Sequence, residues 1–384
     1  MNSDPVLAWV QSHRPQIVGT IRAMVECESP SDDRAAVNRF VELCSDLAAP
    51  VAKVKSAPGG KFGNHLLCEF RLPGGKKSGQ ILALGHSDTV WPLGTLARMP
   101  FQERDGRLWG PGVLDMKGGI AFFFFAVAAL RELDIPVASK VVLQLNSDEE
   151  VGSDSSRELT EKQARSSHAV LVLEPGTGLT GKLKTARKGV GDYRVKVHGR
   201  ASHAGVDFSA GASAIVELAK QIEKIAAFTD EKHGITVNPG VISGGTRSNV
   251  IAAEAEAHVD IRVRRLKDAA ALNRKFQALK PFNGRCSMEV SGGLNRPPME
   301  RTAGIVALFK KARALGRELG IDVEESATGG GSDGNFTAAL GVPTLDGIGA
   351  VGEGAHALNE SLLVDRIADR TALIAKLLKE LPAP

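Results

Sequence analysis

Three continuous apolar runs constrain the fold of this 384-residue chain more than any other feature of its sequence. Such runs are typical of strands that are buried on both faces of a mainly parallel sheet, which needs helices on either side. They lie at 81–84, 141–145 and 169–173. Helical periodicity at 117–133 and along an apolar stripe that stops at Gly320 supplies such helices. A strand near 343–345 and a final helix at 365–381 complete the predicted α/β layer.

The middle of the chain follows a different pattern. Tyr193, Val195 and Val197 alternate with polar residues, as expected of strands with one packed and one wet face in an antiparallel sheet. The predicted order is strand 190–198, helix 211–228, strand 235–243, strand 253–264, helix 267–279 and strand 285–291. This β-α-β-β-α-β order is ferredoxin-like. We therefore predict a small α+β domain, 188–299, inserted into an α/β domain that is formed by 1–187 and 300–384.

The composition excludes several classes of protein. With 48 basic and 44 acidic residues the net charge is only +4, which leaves no broad basic surface for nucleic acid. The four cysteines lack zinc-finger or disulfide-framework spacing, as expected in a reducing compartment. Residues 1–20 contain no apolar core of a signal peptide, and the apolar stretch 118–130 is shorter than the roughly 20 residues that span a bilayer. We expect a cytoplasmic protein without a membrane partner.

Acidic residues and histidines follow the buried strands. The carboxyl ends of parallel strands meet at one edge of a sheet, where open α/β folds bind their ligands. The candidates are His86 and Asp88 after the first strand, Glu149 and Glu150 after the second, Glu174 after the third, Asp115 in a Gly-rich loop and His356 in a loop after the last strand.

Each candidate alone is better explained by a structural histidine or a solvated acidic loop, but their coincidence at one edge favours a metal site. Imidazole and carboxylate ligands suit zinc. Five such ligands exceed one tetrahedral site, so we expect two Zn²⁺ ions per subunit. Asp88 lies two residues after His86, so on an extended segment its carboxylate can accept the second N–H of the imidazole.

With these positions the chain resembles the dinuclear-zinc aminoacylase/carboxypeptidase family, and its motifs are most similar to those of bacterial glutamate carboxypeptidases. The similarity runs in order over nearly the whole chain. Its motifs are His86-Ser87-Asp88, 112–119, 148–153, 201–205 and 352–356. The resemblance implies an α/β catalytic domain with an inserted lid domain that forms a homodimer.

The resemblance also assigns roles to the candidate residues. It implies metal-assisted hydrolysis of an amide, with Glu149 as the general base. The implied zinc ligands form two groups that share Asp115 as a bridge: His86, Asp115 and Glu174 for one ion, and Asp115, Glu150 and His356 for the other.

Substrate-binding residues are also implied by the resemblance. His203, which the sequence alone describes as a turn residue, becomes the oxyanion stabiliser for the partner subunit's active site. Asn249 and Arg262 are placed near the substrate, although Arg262 is equally explained as a solvated charge. Arg296 matches an arginine that clamps a substrate carboxylate, which its planar fork can bond bidentately. Gly331 closes a run of three glycines whose N–H groups could hold the substrate, or which could be only a flexible turn.

Three functions are consistent with the sequence. The first is an exopeptidase or amidohydrolase that releases a C-terminal amino acid, glutamate above all, from a peptide or an N-acyl substrate such as a folate-like compound. The second keeps the site but acts on a non-acidic amino acid, as an N-acyl-amino-acid deacylase. The third is a non-catalytic module that binds metal or peptide, which the loss of a ligand or of the base would mark. All six implied positions are present, which favours an enzyme.

Overall fold

The computed structural model describes residues 4–381. Its helices are α1 Pro5–Ser12, α2 Arg14–Glu26, α3 Arg34–Ala48, α4 Gly118–Glu132, α5 Arg157–Arg165, α6 Ala214–Ala226, α7 Leu266–Gln277, α8 Ala303–Glu318, α9 Gly334–Ala339 and α10 Ile367–Glu380. Its strands are β1 Ala52–Pro58, β2 Asn64–Phe70, β3 Gln80–His86, β4 Gln102–Arg104, β5 Arg107–Trp109, β6 Lys140–Asn146, β7 Ala169–Val172, β8 Leu183–Arg187, β9 Gly189–His198, β10 Thr236–Gly244, β11 Glu254–Val263, β12 Ser287–Arg296, β13 Glu325–Thr328, β14 Thr344–Leu345, β15 Gly352–Glu353 and β16 Ser361–Leu363.

The chain divides into two compact units. The first comprises the residues up to Ala186, Arg301–Ala327 and the residues from Ser332 onward. The second comprises Arg187–Glu300 and Thr328–Gly331. The segment Thr328–Gly331 therefore belongs to the smaller unit, whereas the sequence patterns place it in the larger domain.

A six-stranded sheet forms the centre of the first unit, in the order β1-β2-β6-β3-β7-β14. β6, β3, β7 and β14 run parallel to one another, which confirms the predicted mainly parallel α/β sheet. The three apolar runs form β3, β6 and β7, because strands that are covered on both faces need apolar side chains on both. β1 and β2 add an antiparallel edge that these runs do not predict.

Helix α4 is the apolar core helix of the first unit. Together with the turn before it, it forms a stretch of 20 residues, Val113–Glu132, whose most apolar window of 18 residues has a mean hydropathy of 1.8. By length and composition this stretch could cross a membrane, and it is longer than the predicted 118–130. However, 83% of its most apolar window is buried inside the protein. Packing in the core therefore accounts for its composition.

The second unit has the predicted ferredoxin-like order. Its four strands form an antiparallel sheet in the order β10-β11-β9-β12. Tyr193, Val195 and Val197 of β9 point to one face, where they are buried with apolar residues of α6 and α7. β12 continues to Arg296 instead of ending at 291, because Gly292 and Gly293 remain paired with β9.

Candidate active site

Three strand ends bring together most of the predicted metal ligands. His86 is the last residue of β3. β6 ends at Asn146, and the short turn Glu149–Val151 follows it. Glu174 lies two residues beyond the end of β7. Since the three strands are parallel neighbours, their carboxyl ends meet at one edge of the sheet.

Asp115 lies between the two predicted histidine ligands. Its Oδ1 is 3.1 Å from Nε2 of His86, and its Oδ2 is 3.4 Å from Nε2 of His356. Asp115 belongs to the turn that precedes α4, where its backbone angles (φ −117°, ψ 92°) depart from those of a helix. His356 has a positive φ of 63°, which is uncommon outside glycine. Each oxygen of one carboxylate thus faces a different imidazole, as a bridging ligand requires.

The remaining carboxylates lie beside one histidine each. Glu174 Oε1 is 3.6 Å from His86 Nε2, and Glu150 Oε1 is 3.3 Å from His356 Nε2. Glu149 is within reach of the first of these pairs, since one ligand atom from each of His86, Glu149 and Glu174 lies within 4.8 Å of the others. The structure therefore brings the five predicted ligands and Glu149 together.

The electrostatics of this cluster favour bound positive charge. Burial would lower the pKa of His86, but hydrogen bonds to Asp115 and Glu174 outweigh it and raise that pKa well above the usual value. Hydrogen bonds to Asp115 and Glu150 raise the pKa of His356 to about 10. Burial opposes ionisation of Asp115, yet the two imidazoles hold its pKa below the usual range.

The residues present fit a pair of divalent ions. Two ligand atoms on one tetrahedral zinc, each about 2.1 Å from the metal, lie roughly 3.4 Å apart. The four contacts between imidazole nitrogens and carboxylate oxygens measure 3.1–3.6 Å. Glu150 Oε1 is also buried and faces His356 Nε2 at 3.3 Å, which suits an oxygen that a cation would satisfy.

Asp88 differs from its predicted role. Its backbone carbonyl lies 2.9 Å from His86 Nδ1, whereas its carboxylate oxygen is 3.6 Å away. The carboxylate accepts instead from Ser31 Oγ at 2.7 Å and from the backbone N–H groups of Glu149 and Glu150 at 3.2 Å. Because these donors bind the carboxylate, the backbone carbonyl of Asp88 orients the imidazole of His86 instead. Burial raises the pKa of Asp88 to about 6.

A buried polar network around His65 supports the turn that carries Glu149 and Glu150. The sequence patterns did not reveal this network. The backbone N–H of Ser147 donates to His65 Nδ1 at 3.1 Å. Ser155 Oγ lies 3.3 Å from His65 Nε2 and donates to Asp148 Oδ2 at 2.6 Å. Because Nδ1 accepts a hydrogen bond, the ring proton lies on Nε2 and the imidazole is neutral.

Glu360 is a second residue that the sequence patterns missed. It is fully buried, and its carboxylate accepts hydrogen bonds from three backbone N–H groups of the loop that carries Asp115 and from the indole of Trp91. Burial raises the pKa of Glu360 to about 7, against the opposing effect of these donors. The only sequence signal is an acidic residue four positions after His356, which is too weak to single it out.

His203 and Asn249 are neighbours in the second unit. Ala204 donates its backbone N–H to the carbonyl of Asn249 at 2.9 Å, and His203 forms a β-bridge with Val250. Both His203 and Asn249 are exposed. His203 Nδ1 accepts from the backbone N–H groups of Gly205 and Val206, each at 3.1 Å. The neutral ring therefore carries its proton on Nε2, where it can act as a hydrogen-bond donor.

The predicted arginines also lie in the second unit. Arg296 is the last residue of β12 and is 7% exposed. It packs so closely against Gly331 that a Cβ there would lie 2.9 Å from Arg296 Cδ. The carbonyl of Gly331 accepts a hydrogen bond from Arg187 Nη1 at 2.9 Å, and this bond stabilises the conformation of the glycine run. Arg262 is bound by Asp260, with Nε and Nη2 donating to its two oxygens at 2.9 and 2.8 Å.

Comparison with known proteins places this site in a family. A profile of peptidase family M20/M25/M40 matches residues 82–380. Carboxypeptidase G2 of Pseudomonas sp. (strain RS-16) is 30% identical over 381 residues, which cover 96% of this chain and 90% of that protein. The sequence resemblance to dinuclear metallopeptidases is thereby confirmed.

Solved structures show the same fold. The aminopeptidase PepT of Bacillus cereus superposes with a TM-score of 0.81 at 21% identity, over 96% of this chain and 98% of that one. The YXEP protein of Bacillus subtilis, described as a dinuclear metal-binding peptidase of the M20 family, gives a TM-score of 0.69 at 14% identity, over 97% and 99% of the two chains. The profile match and the 30% identical relative show that the chain belongs to peptidase family M20/M25/M40 and is a metallopeptidase-type hydrolase.

Proposed function

We propose that this chain is a zinc-dependent exopeptidase or amidohydrolase that releases a C-terminal amino acid, above all glutamate, from a peptide or an N-acyl substrate such as a folate-like compound. The observation that carries the proposal is the carboxylate of Asp115, whose two oxygens lie 3.1 and 3.4 Å from two different histidines. The proposed ligands are His86, Asp115 and Glu174 for one ion, and Asp115, Glu150 and His356 for the other.

Glu149 is proposed as the general base. Bound ions would polarise the scissile carbonyl and lower the pKa of water in the site. Glu149 would take the proton of that water and return it to the leaving amine. Its support is its position beside Glu150 and within reach of His86 and Glu174. The Asp88 carboxylate fixes the backbone of its turn, which orients the base.

Arg296 is proposed to bind the free carboxylate of the substrate. The support is a guanidinium at a strand end, packed against a glycine that leaves room for it. Similarity to a protein named carboxypeptidase G2 agrees with a substrate that ends in a carboxylate. Arg262, in contrast, is already bound by both oxygens of Asp260. The ion pair with Asp260 leaves Arg262 less able to bind an acidic side chain of the substrate. It therefore favours the second candidate, a deacylase for a non-acidic amino acid.

His203 is proposed to donate its Nε2–H to the developing oxyanion in the active site of a second subunit. Its tautomer supports this role, since both hydrogen bonds to Nδ1 come from backbone N–H groups. An oxyanion stabiliser must be a donor that is oriented before the reaction begins. Asn249, beside it on the neighbouring segment, is proposed to contact the same substrate.

The proposal is tested by measuring kcat and KM for the zinc-loaded wild type, Glu149→Gln and Arg296→Ala. The substrates are N-acyl-glutamate, -aspartate, -leucine and -arginine and an N-aroyl-glutamate. Glu149→Gln should keep its bound metal but lose about 10²–10⁴-fold in kcat, as expected for a general base. Arg296→Ala should raise KM for the glutamate substrates at least tenfold relative to the leucine substrate. The matched control is Arg194→Ala, an exposed arginine of the same sheet.

The outcomes separate the parts of the proposal. Near-normal turnover by Glu149→Gln would contradict the proposed role of Glu149 as the general base. If Arg296→Ala raises KM equally for every substrate, the chain would still be a hydrolase, but the proposed preference for glutamate would be wrong. Faster hydrolysis of the leucine or arginine substrate by the wild type would establish the deacylase instead.

A further inference from the structure

The carboxylate of Glu360 accepts four hydrogen bonds, three from the backbone of one loop and one from an indole. Oε1 accepts from the N–H groups of Leu114 and Asp115 at 2.9 and 3.0 Å. Oε2 accepts from the N–H of Gly112 at 2.9 Å and from Trp91 Nε1 at 2.7 Å. A carboxylate offers about four acceptor positions, and four neutral donors fill them. Glu360 thus binds the loop that carries Asp115, instead of a cation.

The loop depends on these contacts. Asp115 and Met116 have non-helical backbone angles, and Gly112 has a positive φ of 72°. Regular secondary structure therefore does not satisfy the N–H groups that Glu360 accepts. A buried N–H group without a partner costs about 1–3 kcal/mol, so an acceptor at this point stabilises the loop conformation.

Glu360 is itself held firmly and lies near the other histidine ligand. Its backbone N–H donates to Ala357 at 2.9 Å, and β16, which begins at the next residue, pairs with β5. It lies four positions after His356 in the chain. Through Trp91 it also reaches the segment that follows His86. One side chain therefore connects the segments that carry both histidines to the loop that carries Asp115 between them.

We propose that Glu360 is a positioning residue for the metal pair: it fixes the backbone of Asp115 so that each carboxylate oxygen faces one metal position. This inference rests on the proposed function, because it presumes that Asp115 bridges two ions. Residues that hold metal ligands in place typically contribute 10–100-fold to metal affinity. The same range is expected here.

Cobalt titration, followed by visible absorbance, tests the role without any measurement of hydrolysis. In Glu360→Gln an NH₂ group replaces one oxygen and faces two N–H donors, so two of the four hydrogen bonds are lost. The variant should bind at least one of two cobalt ions ten or more times more weakly than the wild type. The matched control is Glu217→Gln: Glu217 is a buried glutamate of the second unit that likewise accepts two backbone N–H groups, from Phe282 and Asn283. It should lower Tm but leave both cobalt affinities within twofold.

The outcomes distinguish this proposal from the one on which it rests. A Glu360→Gln variant that binds two cobalt ions as tightly as the wild type, at a lower Tm, would overturn the positioning role alone. A wild type that binds no pair of cobalt ions would overturn the proposed function and this role together. If Glu360→Gln does not fold, Trp91→Phe removes one of the four donors. Its cobalt affinity should fall two- to fivefold, and an unchanged affinity would overturn the role.

Discussion

At the scale of the residue, neutral His65 supports the turn that carries Glu149 and Glu150. Its Nδ1 accepts the backbone N–H of Ser147, and protonation of the ring would turn that acceptor into a donor. Burial lowers the pKa of His65 below the usual 6.5, although Asp148 and Asp333 act in the opposite direction. The free energy of unfolding must therefore depend on pH through this residue.

The sign of that dependence follows from proton binding. In the unfolded chain a histidine binds its proton near pH 6.5, whereas folded His65 binds it only at lower pH. Between these values the unfolded state holds more protons, so stability falls as the pH falls below about 6.5. His65→Asn keeps an acceptor near Ser147 but cannot titrate. We expect it to lose less stability than the wild type between pH 7.5 and 5.5.

Urea unfolding with EDTA at both pH values measures this difference without a contribution from metal release. Each pKa unit between folded and unfolded states is worth about 1.4 kcal/mol, which sets the scale. His258→Asn, at a half-exposed position in the second unit, is the matched control. Equal pH dependence in His65→Asn and the wild type would show that the imidazole does not titrate in this way.

At the scale of the element, helix α4 and the residue that follows strand β7 approach so closely that only glycine fits between them. A Cβ on Gly119 would lie 2.1 Å from the carbonyl oxygen of Leu173. Leu173 directly precedes Glu174, and α4 directly follows the turn of Asp115. The close approach of these two elements therefore also sets the distance between two proposed metal ligands.

Gly119→Ala should destabilise the protein by about 1–3 kcal/mol or more, because the added methyl group must displace backbone. Gly19→Ala is the matched control, since Gly19 lies inside α2 and a Cβ there would meet nothing within 4 Å. Alanine should stabilise that helix by up to about 1 kcal/mol. Thermal unfolding should therefore show a lower Tm for Gly119→Ala and an equal or higher Tm for Gly19→Ala. Similar shifts in both variants would contradict the close approach.

The same elements show how far the sequence could predict the fold. β3, β6 and β7 were predictable because continuous apolar runs have few alternatives in a chain of this composition. β12 was predicted too short, because two glycines that resemble a turn, Gly292 and Gly293, remain paired within the sheet. The sheet β15-β16-β5-β4 was not predicted, since strands of two or three residues leave no periodic pattern.

The candidate site could be outlined from the sequence for a related reason. Residues that follow parallel strands meet at one edge, so the grouping of His86, Glu150 and Glu174 needed only the strand ends. Glu360 was beyond such reasoning, because its partner Asp115 lies 245 residues away in the chain. No local pattern encodes a hydrogen bond of that separation.

At the scale of the whole molecule, the proposed chemistry divides between the two units. Every proposed metal ligand belongs to the first unit, and every proposed substrate-binding residue belongs to the second. The proposal that His203 acts in a second subunit makes activity depend on dimerisation. The second unit offers a surface for it: β10 is an edge strand whose Val241 and Ile242 are 59% and 58% exposed. Exposed apolar edge strands readily pair with another chain.

We therefore expect the wild type to sediment at twice the 40.5 kDa mass of the chain, and Ile242→Lys to sediment as a monomer. A lysine on an edge strand opposes pairing, because its charge would have to be buried in the interface. Hydrolysis by the monomer should fall with dimer dissociation, since His203 would no longer reach a second active site. Leu179→Lys, at a similarly exposed leucine of the first unit, is the matched control and should stay dimeric and active. A monomeric wild type, or a fully active monomeric Ile242→Lys, would contradict catalysis across subunits.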